Sequence, residues 1–179
     1  IDAASTKPFG FMKFSPGPGV GGHCLPIDPS YLSWAVKEKT GQLFKFVELA
    51  NQVNSTMPRY VFDRLESLLD SNGEKVATSR ILLLGLAYKE DTGDVRESPA
   101  IILSEFLAES GAKIFAIDDL VPETLWPQHI LRHSSTATTE YSAAVLLTNH
   151  TRATLPNLEQ IPVILDTRNV LRGANVIQL

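Results

Sequence analysis

Cys24 is the residue whose type and setting best suit it to make and break a covalent bond. It is the only cysteine in the 179 residues, so no intrachain disulfide can claim it. Its thiol is a small buried hydrophobe, a nucleophile, or incidental, and only its neighbourhood can decide. That neighbourhood is Pro16-Gly-Pro-Gly-Val-Gly-Gly-His-Cys-Leu-Pro-Ile-Asp-Pro29. Its four glycines, Gly21 and Gly22 among them, allow backbone to approach a ligand closely. Helix-start signals at Pro26 and Asp28-Pro29 predict that Cys24 stands just ahead of a helix N-terminus, where the positive end of the dipole favours thiolate. Asp28 follows four residues on, either as an N-cap or to orient a water or proton-carrying group beside the sulfur. His23 is adjacent in sequence, which suits a structural or substrate-contact role better than a Cys-His dyad.

Gly17, Gly19 and Gly22 spell G-x-G-x-x-G, yet this match is rejected as a dinucleotide fingerprint. The fingerprint needs a strand before it, a helix opening within it and an acid about 20 residues on. Prolines interrupt the turn here instead. A second polar cluster lies between a strand and a helix, where Lys89 and Arg96 flank Asp91-Thr-Gly-Asp94. Ligands of open α/β sheets collect at the carboxyl ends of strands and anions at helix N-termini, so a diphosphate is expected here, at the helix starting by Ser98. The plainer alternative for each cation is an ion pair with a nearby acid.

The elements that must position these residues fall into two regions. From Asp28 to about Asp70 the apolar spacing is helical: Tyr31, Leu32, Ala35 and Val36, then Phe46, Leu49, Ala50, Val53, Met57, Val61, Leu65 and Leu68. Pro58 is expected to kink or split the second run, with Ser55 or Thr56 capping its latter part, and Ser71-Asn72-Gly73 to end it. Beyond Arg80 come strand-length apolar bursts at 81–84, 113–117, 144–147 and 163–165, with a helix over about 98–110 between the first two. Such runs are buried on both faces, which predicts a parallel sheet. The reading is an α/β chain with a helical segment over 1–73 and a Rossmann-like open sheet domain over 74–179.

Composition narrows the partners. With 44% hydrophobic and 20% charged residues the chain is an ordinary globular one, and a net charge of −4 gives no broad basic footprint for nucleic acid or anionic membrane. No apolar run is long enough to span a bilayer and no signal peptide opens the chain, so a cytoplasmic location is the expectation. No metal-ligand set is read. Ile1 opens the chain in mid-sentence, which suggests a fragment of a longer protein.

The run Gly17-Pro-Gly-Val-Gly-Gly-His-Cys-Leu-Pro-Ile-Asp-Pro-Ser-Tyr-Leu32 closely resembles the catalytic-cysteine segment of the UDP-glucose/GDP-mannose dehydrogenase family. Its His before the Cys and Pro-x-Asp-Pro after it resemble the branch acting on UDP-N-acetylhexosamines. Gly85-Leu-Ala-Tyr-Lys-Glu-Asp-Thr-Gly-Asp-Val-Arg-Glu-Ser-Pro99 resembles the family's entry to its UDP-binding domain, and Asp166-Thr-Arg-Asn-Val-Leu171 a motif near its end. The resemblance covers essentially the whole chain as the C-terminal half of such an enzyme. It implies that a primary alcohol is oxidised twice, by two NAD, to a carboxylate. Cys24 would form the thiohemiacetal and thioester, and Asp28 would help position the hydrolytic water. Lys89 and Arg168 would contact the UDP-sugar, with Phe14, Gly21, Gly22 and His23 beside the sugar, while Arg96 would reach the cofactor or substrate across the domain interface.

One position departs from the pattern. UDP-glucose members carry a lysine just before the aspartate, where Ile27 stands here, and the lysine and glutamate that the family draws from its preceding half are not in these residues. The sequence leaves open which hexosamine epimer is used. Two other classes are weighed beside the enzyme: a UDP-sugar-binding module without chemistry, and a dimerisation element using the apolar helix of about 44–70 to form a homodimer.

Overall fold

The computed structural model describes residues 1–11, 13–22, 24–133 and 140–179, without the Pro26 side chain. Three helices come first, α1 (Asp2–Ser5), α2 (Cys24–Thr40) and α3 (Lys45–Ser71). After them come β1 (Arg80–Leu84), α4 (Pro99–Glu109), β2 (Lys113–Ile117), β3 (Leu131–Arg132), β4 (Ala143–Leu146), β5 (Val163–Asp166) and β6 (Val176–Gln178). The strands form one sheet in the order β3-β2-β1-β4-β5-β6, and every pairing is parallel. This is the doubly wound order of dinucleotide-binding sheets, with its switch point between β1 and β4.

The expected parallel α/β sheet is therefore present, and burial explains why it could be expected. Ile81 to Leu84 are all at most 1% exposed, because successive side chains enter opposite cores. Ile81 and Leu83 pack with Val61, Phe62, Leu65 and Leu69 of α3 and with Leu103 and Leu107 of α4. Leu82 and Leu84 face the other way, with Phe115, Tyr141 and Ile161. Ser98 caps α4, its side chain accepting the Ala100 N–H, and Pro99 stands at the first helical position. The strands β3 and β6 go beyond the sequence expectation; they are short edge pieces without a full apolar run.

Two helix expectations need correction. Pro58 neither splits α3 nor creates a new start: the helix runs unbroken, and Ser55 and Thr56 donate back to the Gln52 and Val53 carbonyls instead of capping. The buried row Val61, Phe62, Leu65 and Leu69 offsets the lost backbone bond, since packing of an apolar face supplies most helix stability in proteins. Likewise α2 starts at Cys24 itself rather than after it. Pro26 sits in the first turn, where its missing N–H has no helical partner anyway, and Pro29 is tolerated one turn later. The expected stop holds, with Asn72 at the C-cap of α3 and Gly73 at φ 76°. No helix among the described residues is long and apolar enough to cross a membrane.

The carboxyl end of β2 carries Asp118, whose side chain is fully buried. Its Oδ2 accepts from the Leu86 and Ala87 N–H groups at 2.8 and 3.0 Å and its Oδ1 from Leu120 and Val121 at 3.0 and 3.2 Å. His150 Nε2 lies 3.0 Å from Oδ2. Burial alone would raise this carboxyl's pKa, but the backbone and histidine hydrogen bonds outweigh it and hold the group below the ordinary carboxylate value. A depressed folded-state pKa stabilises the fold above the unfolded pKa, and that stability is lost as pH falls through the folded one. Urea midpoints should thus fall as the medium is acidified below about pH 4, and Asp118→Asn, less stable at neutral pH, should lose less on acidification. An acid loss identical in wild type and variant would show that Asp118 is not a source of it.

Candidate active site

The cysteine segment is seated on both helices and sheet domain. Asn54 of α3 holds it at two points, its Oδ1 accepting the Val20 N–H at 2.8 Å and its Nδ2 donating to the Val20 carbonyl at 3.0 Å. Gly21 and Gly22 are buried against the loop between β1 and α4. A Cβ at Gly21 would lie 2.3 Å from the Glu97 carbonyl oxygen, and one at Gly22, where φ is 81°, 2.6 Å from the Tyr88 ring. Both bare Cα atoms are thus spent on contact with protein. The Gly22 N–H also reaches the Arg96 carbonyl at 3.4 Å.

This seating delivers Cys24 to the surface. It is exposed at the first residue of α2, and Asp28, also exposed, is four residues on in the same helix, one turn away on the same face. His23 lies outside the described residues. Phe14 is 57% exposed.

The loop between β1 and α4 carries the two cations expected there. Lys89 is exposed, with its Nζ 5.6 Å from the centre of the Tyr88 ring, and among the described residues it makes no hydrogen bond or ion pair. Arg96, by contrast, grips Asp94 through Nε at 2.9 Å to both carboxylate oxygens, and Asp94 raises its pKa. Its exposed guanidinium therefore sits in the ion pair weighed as the plainer alternative.

Arg168 comes to the same place from the end of β5. Asp166 builds that turn: its two oxygens accept the N–H groups of Arg168, Asn169, Val170 and Leu171 at 2.7 to 3.0 Å. Arg168 then donates from Nε to the Leu147 carbonyl at 2.6 Å. A Cβ on Gly17 of the cysteine segment would lie 2.7 Å from its Nη1. Burial pushes the guanidinium's pKa down, while Glu90 and Asp166 oppose that. A half-buried cation is thereby held beside the cysteine segment.

The helix N-terminus expected to hold a diphosphate is closed. Ser98, Pro99 and Ala100 are buried, proline supplies no donor, and the Ala100 and Ile101 N–H groups are taken by the Ser98 side chain and carbonyl. Gly19 lies on Pro99 from outside. The hydroxyl that marks the helix start thus also uses up its first donors. On the other side of the loop, a cleft of about 440 Å³ opens at the carboxyl ends of β1, β2 and β4, bordered by Gly85, Asp119, Thr148, His150, Arg152 and Leu155. Neither Lys89, Arg168 nor Cys24 borders it. Asn54 and His150 escape sequence reading, and Tyr88 and Glu97 stand in the quoted motif without a role, because each acts through a contact that only the fold creates.

Residues 1–56 match the central domain of the UDP-glucose/GDP-mannose dehydrogenase family, and residues 82–173 its UDP binding domain. The UDP-N-acetyl-D-mannosamine dehydrogenase of Yersinia pestis is 31% identical over 167 residues, covering 88% of this chain and 39% of its own length. That of Pyrococcus horikoshii is 32% identical over 180 residues, covering 99% of this chain and 40% of its own length. Among solved structures, the UDP-D-ManNAc dehydrogenase of Pyrococcus horikoshii superposes with a TM-score of 0.72 at 26% identity, over 99% of this chain and 42% of that one. The UDP-N-acetyl-mannosamine dehydrogenase of S. aureus gives a TM-score of 0.70 at 27% identity, over 99% and 41%. The chain spans about two fifths of the length of the curated relatives it matches. On its motifs, its sheet and these matches, the chain belongs to the UDP-glucose/GDP-mannose dehydrogenase family.

Proposed function

We propose that these residues form the cysteine-bearing and UDP-binding portion of an enzyme that oxidises the C6 alcohol of a UDP-N-acetylhexosamine to the uronate. The observation that carries this reading is the docking of the cysteine segment, through Gly21 and Gly22, onto the loop that presents Lys89. Cys24 Sγ adds to the C6 aldehyde carbon, whose oxygen takes up a proton, giving a thiohemiacetal. Loss of a hydride and a proton from that adduct leaves a thioester. Water then attacks the thioester carbon, releasing the carboxylate and returning the thiol, with Asp28 one turn away to orient that water. Lys89 and Arg168 bind the diphosphate and Phe14 contacts the sugar, a role that the family resemblance implies for His23 as well.

The two oxidations need a hydride acceptor, NAD by the family resemblance. The sheet described here does not fit it: α4 offers no free N-terminal donors for a pyrophosphate, and a Cβ on Gly85 would meet the Thr148 carbonyl at 2.4 Å. NAD would be held by a portion of the protein outside these residues, with Arg96 at most reaching toward it. We divide the chain into a central-domain segment, 1–73, and a UDP-binding domain, 74–179. Phe46, Leu49 and Val53 leave an exposed apolar row on α3, which supports homodimerisation through that helix.

Calorimetry on this chain should detect UDP binding, whereas its mixture with NAD and a UDP-N-acetylhexosamine should yield no NADH absorbance. Absence of UDP binding at about millimolar concentration, a weak affinity worth only about 4 kcal/mol, would remove the UDP-site assignment. In the complete protein, Cys24→Ser should lower uronate formation by at least about a thousandfold with UDP-sugar affinity within about twofold of wild type. Turnover near wild type in that variant would remove Cys24 from the chemistry and favour a binding module.

A further inference from the structure

In dinucleotide-binding sheets an acid at the end of the second strand binds the ribose of the ligand. Here that place belongs to Asp118, and its carboxylate has nothing left for a ligand. An ionised carboxylate offers about four acceptor sites, and Asp118 receives four backbone N–H groups and His150. Two of those N–H groups, from Leu86 and Ala87, belong to the start of the Lys89 loop.

The rest of that loop is tied down in the same way. The Leu86 carbonyl accepts from Ser98 Oγ at 2.7 Å and the Ala87 carbonyl from Thr148 Oγ1 at 2.6 Å. The Tyr88 N–H donates to the Asp94 carbonyl at 2.9 Å. Asp91, at φ 55°, donates its N–H to His150 Nδ1 at 3.0 Å, and its carboxylate takes the Thr151 N–H and hydroxyl at 2.9 and 2.6 Å. Since the Asp91 N–H can only donate, Nδ1 accepts and the ring proton sits on Nε2, facing Asp118. Between these two anchorages stand Lys89 and Glu90, which make no hydrogen bond among the described residues. The backbone is pinned on both sides of the crest that carries Lys89.

We infer that His150, backed by Asp118, is a positioning residue for UDP binding: by accepting the Asp91 N–H it fixes the far end of the loop and so sets Lys89 in place before the diphosphate arrives. This rests on the reading of Lys89 as a diphosphate ligand. A loop ordered in advance spends less of the interaction on ordering when ligand binds, so loosening it appears as lost affinity.

The test separates the two ends of the imidazole. Asn at position 150 can keep an acceptor near the Nδ1 place, while Gln can keep a donor near the Nε2 place; both remove the same ring. UDP affinity is measured by calorimetry and stability by thermal unfolding, for His150→Asn, His150→Gln and Lys89→Ala. We expect H150Q to weaken UDP binding roughly five- to tenfold, the worth of about one hydrogen bond. H150N should stay within about twofold of wild type although both variants lose similar thermal stability, and K89A should bind UDP more weakly than either. Equal weakening in H150N and H150Q would overturn the inference, because the ring's bulk rather than its Nδ1 bond would then matter. Wild-type affinity in H150Q with binding lost in K89A would overturn it while leaving Lys89 as a ligand. Wild-type affinity in K89A would overturn both. Should H150Q fail to fold, His150→Ala read against H150N makes the same comparison, since only H150N keeps an acceptor for the Asp91 N–H; UDP binding weaker in H150A than in H150N supports the inference and equal binding in the two overturns it.

Discussion

A carboxylate without access to solvent, Asp118, sets the path of the chain as it leaves β1. A buried charge is tolerated only when its hydrogen-bonding capacity is filled. Filling it here means drawing the Leu86 and Ala87 N–H groups from one strand end and Leu120 and Val121 from the next. The loop after β1 is thereby committed to a fixed start, and its surface becomes a template. Gly21 and Gly22 dock on that surface because they lack side chains, and their docking in turn orients the first turn of α2 with Cys24. Asp166 does for Arg168 at the end of β5 what Asp118 does for the Lys89 loop.

Sequence reading succeeds where one local signal suffices. β1, β2, β4 and β5 are apolar runs because both their faces are covered, so their residues announce them. The edge strands β3 and β6 carry no such run and are not legible in the sequence. Pro58 reads as a kink or a split because proline costs about 3 kcal/mol within a helix; the split is absent, and Val61, Phe62, Leu65 and Leu69 pack the unbroken helix against the sheet. Ser98 reads correctly as a cap, yet the accessibility of the helix end depends on the cysteine segment lying across Pro99, which no local pattern encodes.

The candidate site divides along the same line. Cys24, Asp28, Lys89 and Arg168 stand in motifs, and motif resemblance finds them. Asn54 and His150 do their work across 34 and 59 residues of chain, to Val20 and Asp91, and a lone Asn on a helix or a lone His after a strand carries no mark of that. The acid after β2 goes unnoticed in the sequence; only the geometry reveals that it stands where such sheets bind a ribose and that protein backbone has taken the ligand's place.

The central claim is that the cysteine segment, the Lys89 loop and the Arg168 turn form one site for the UDP-sugar. Amide hydrogen exchange of the chain with and without saturating UDP tests it most directly, since a bound ligand slows exchange where it orders backbone. The account predicts protection concentrated in 17–22, 85–97 and 166–171. Protection confined to 117–120 and 148–155, around the cleft at the ends of β1, β2 and β4, with the cysteine segment unchanged, would contradict it.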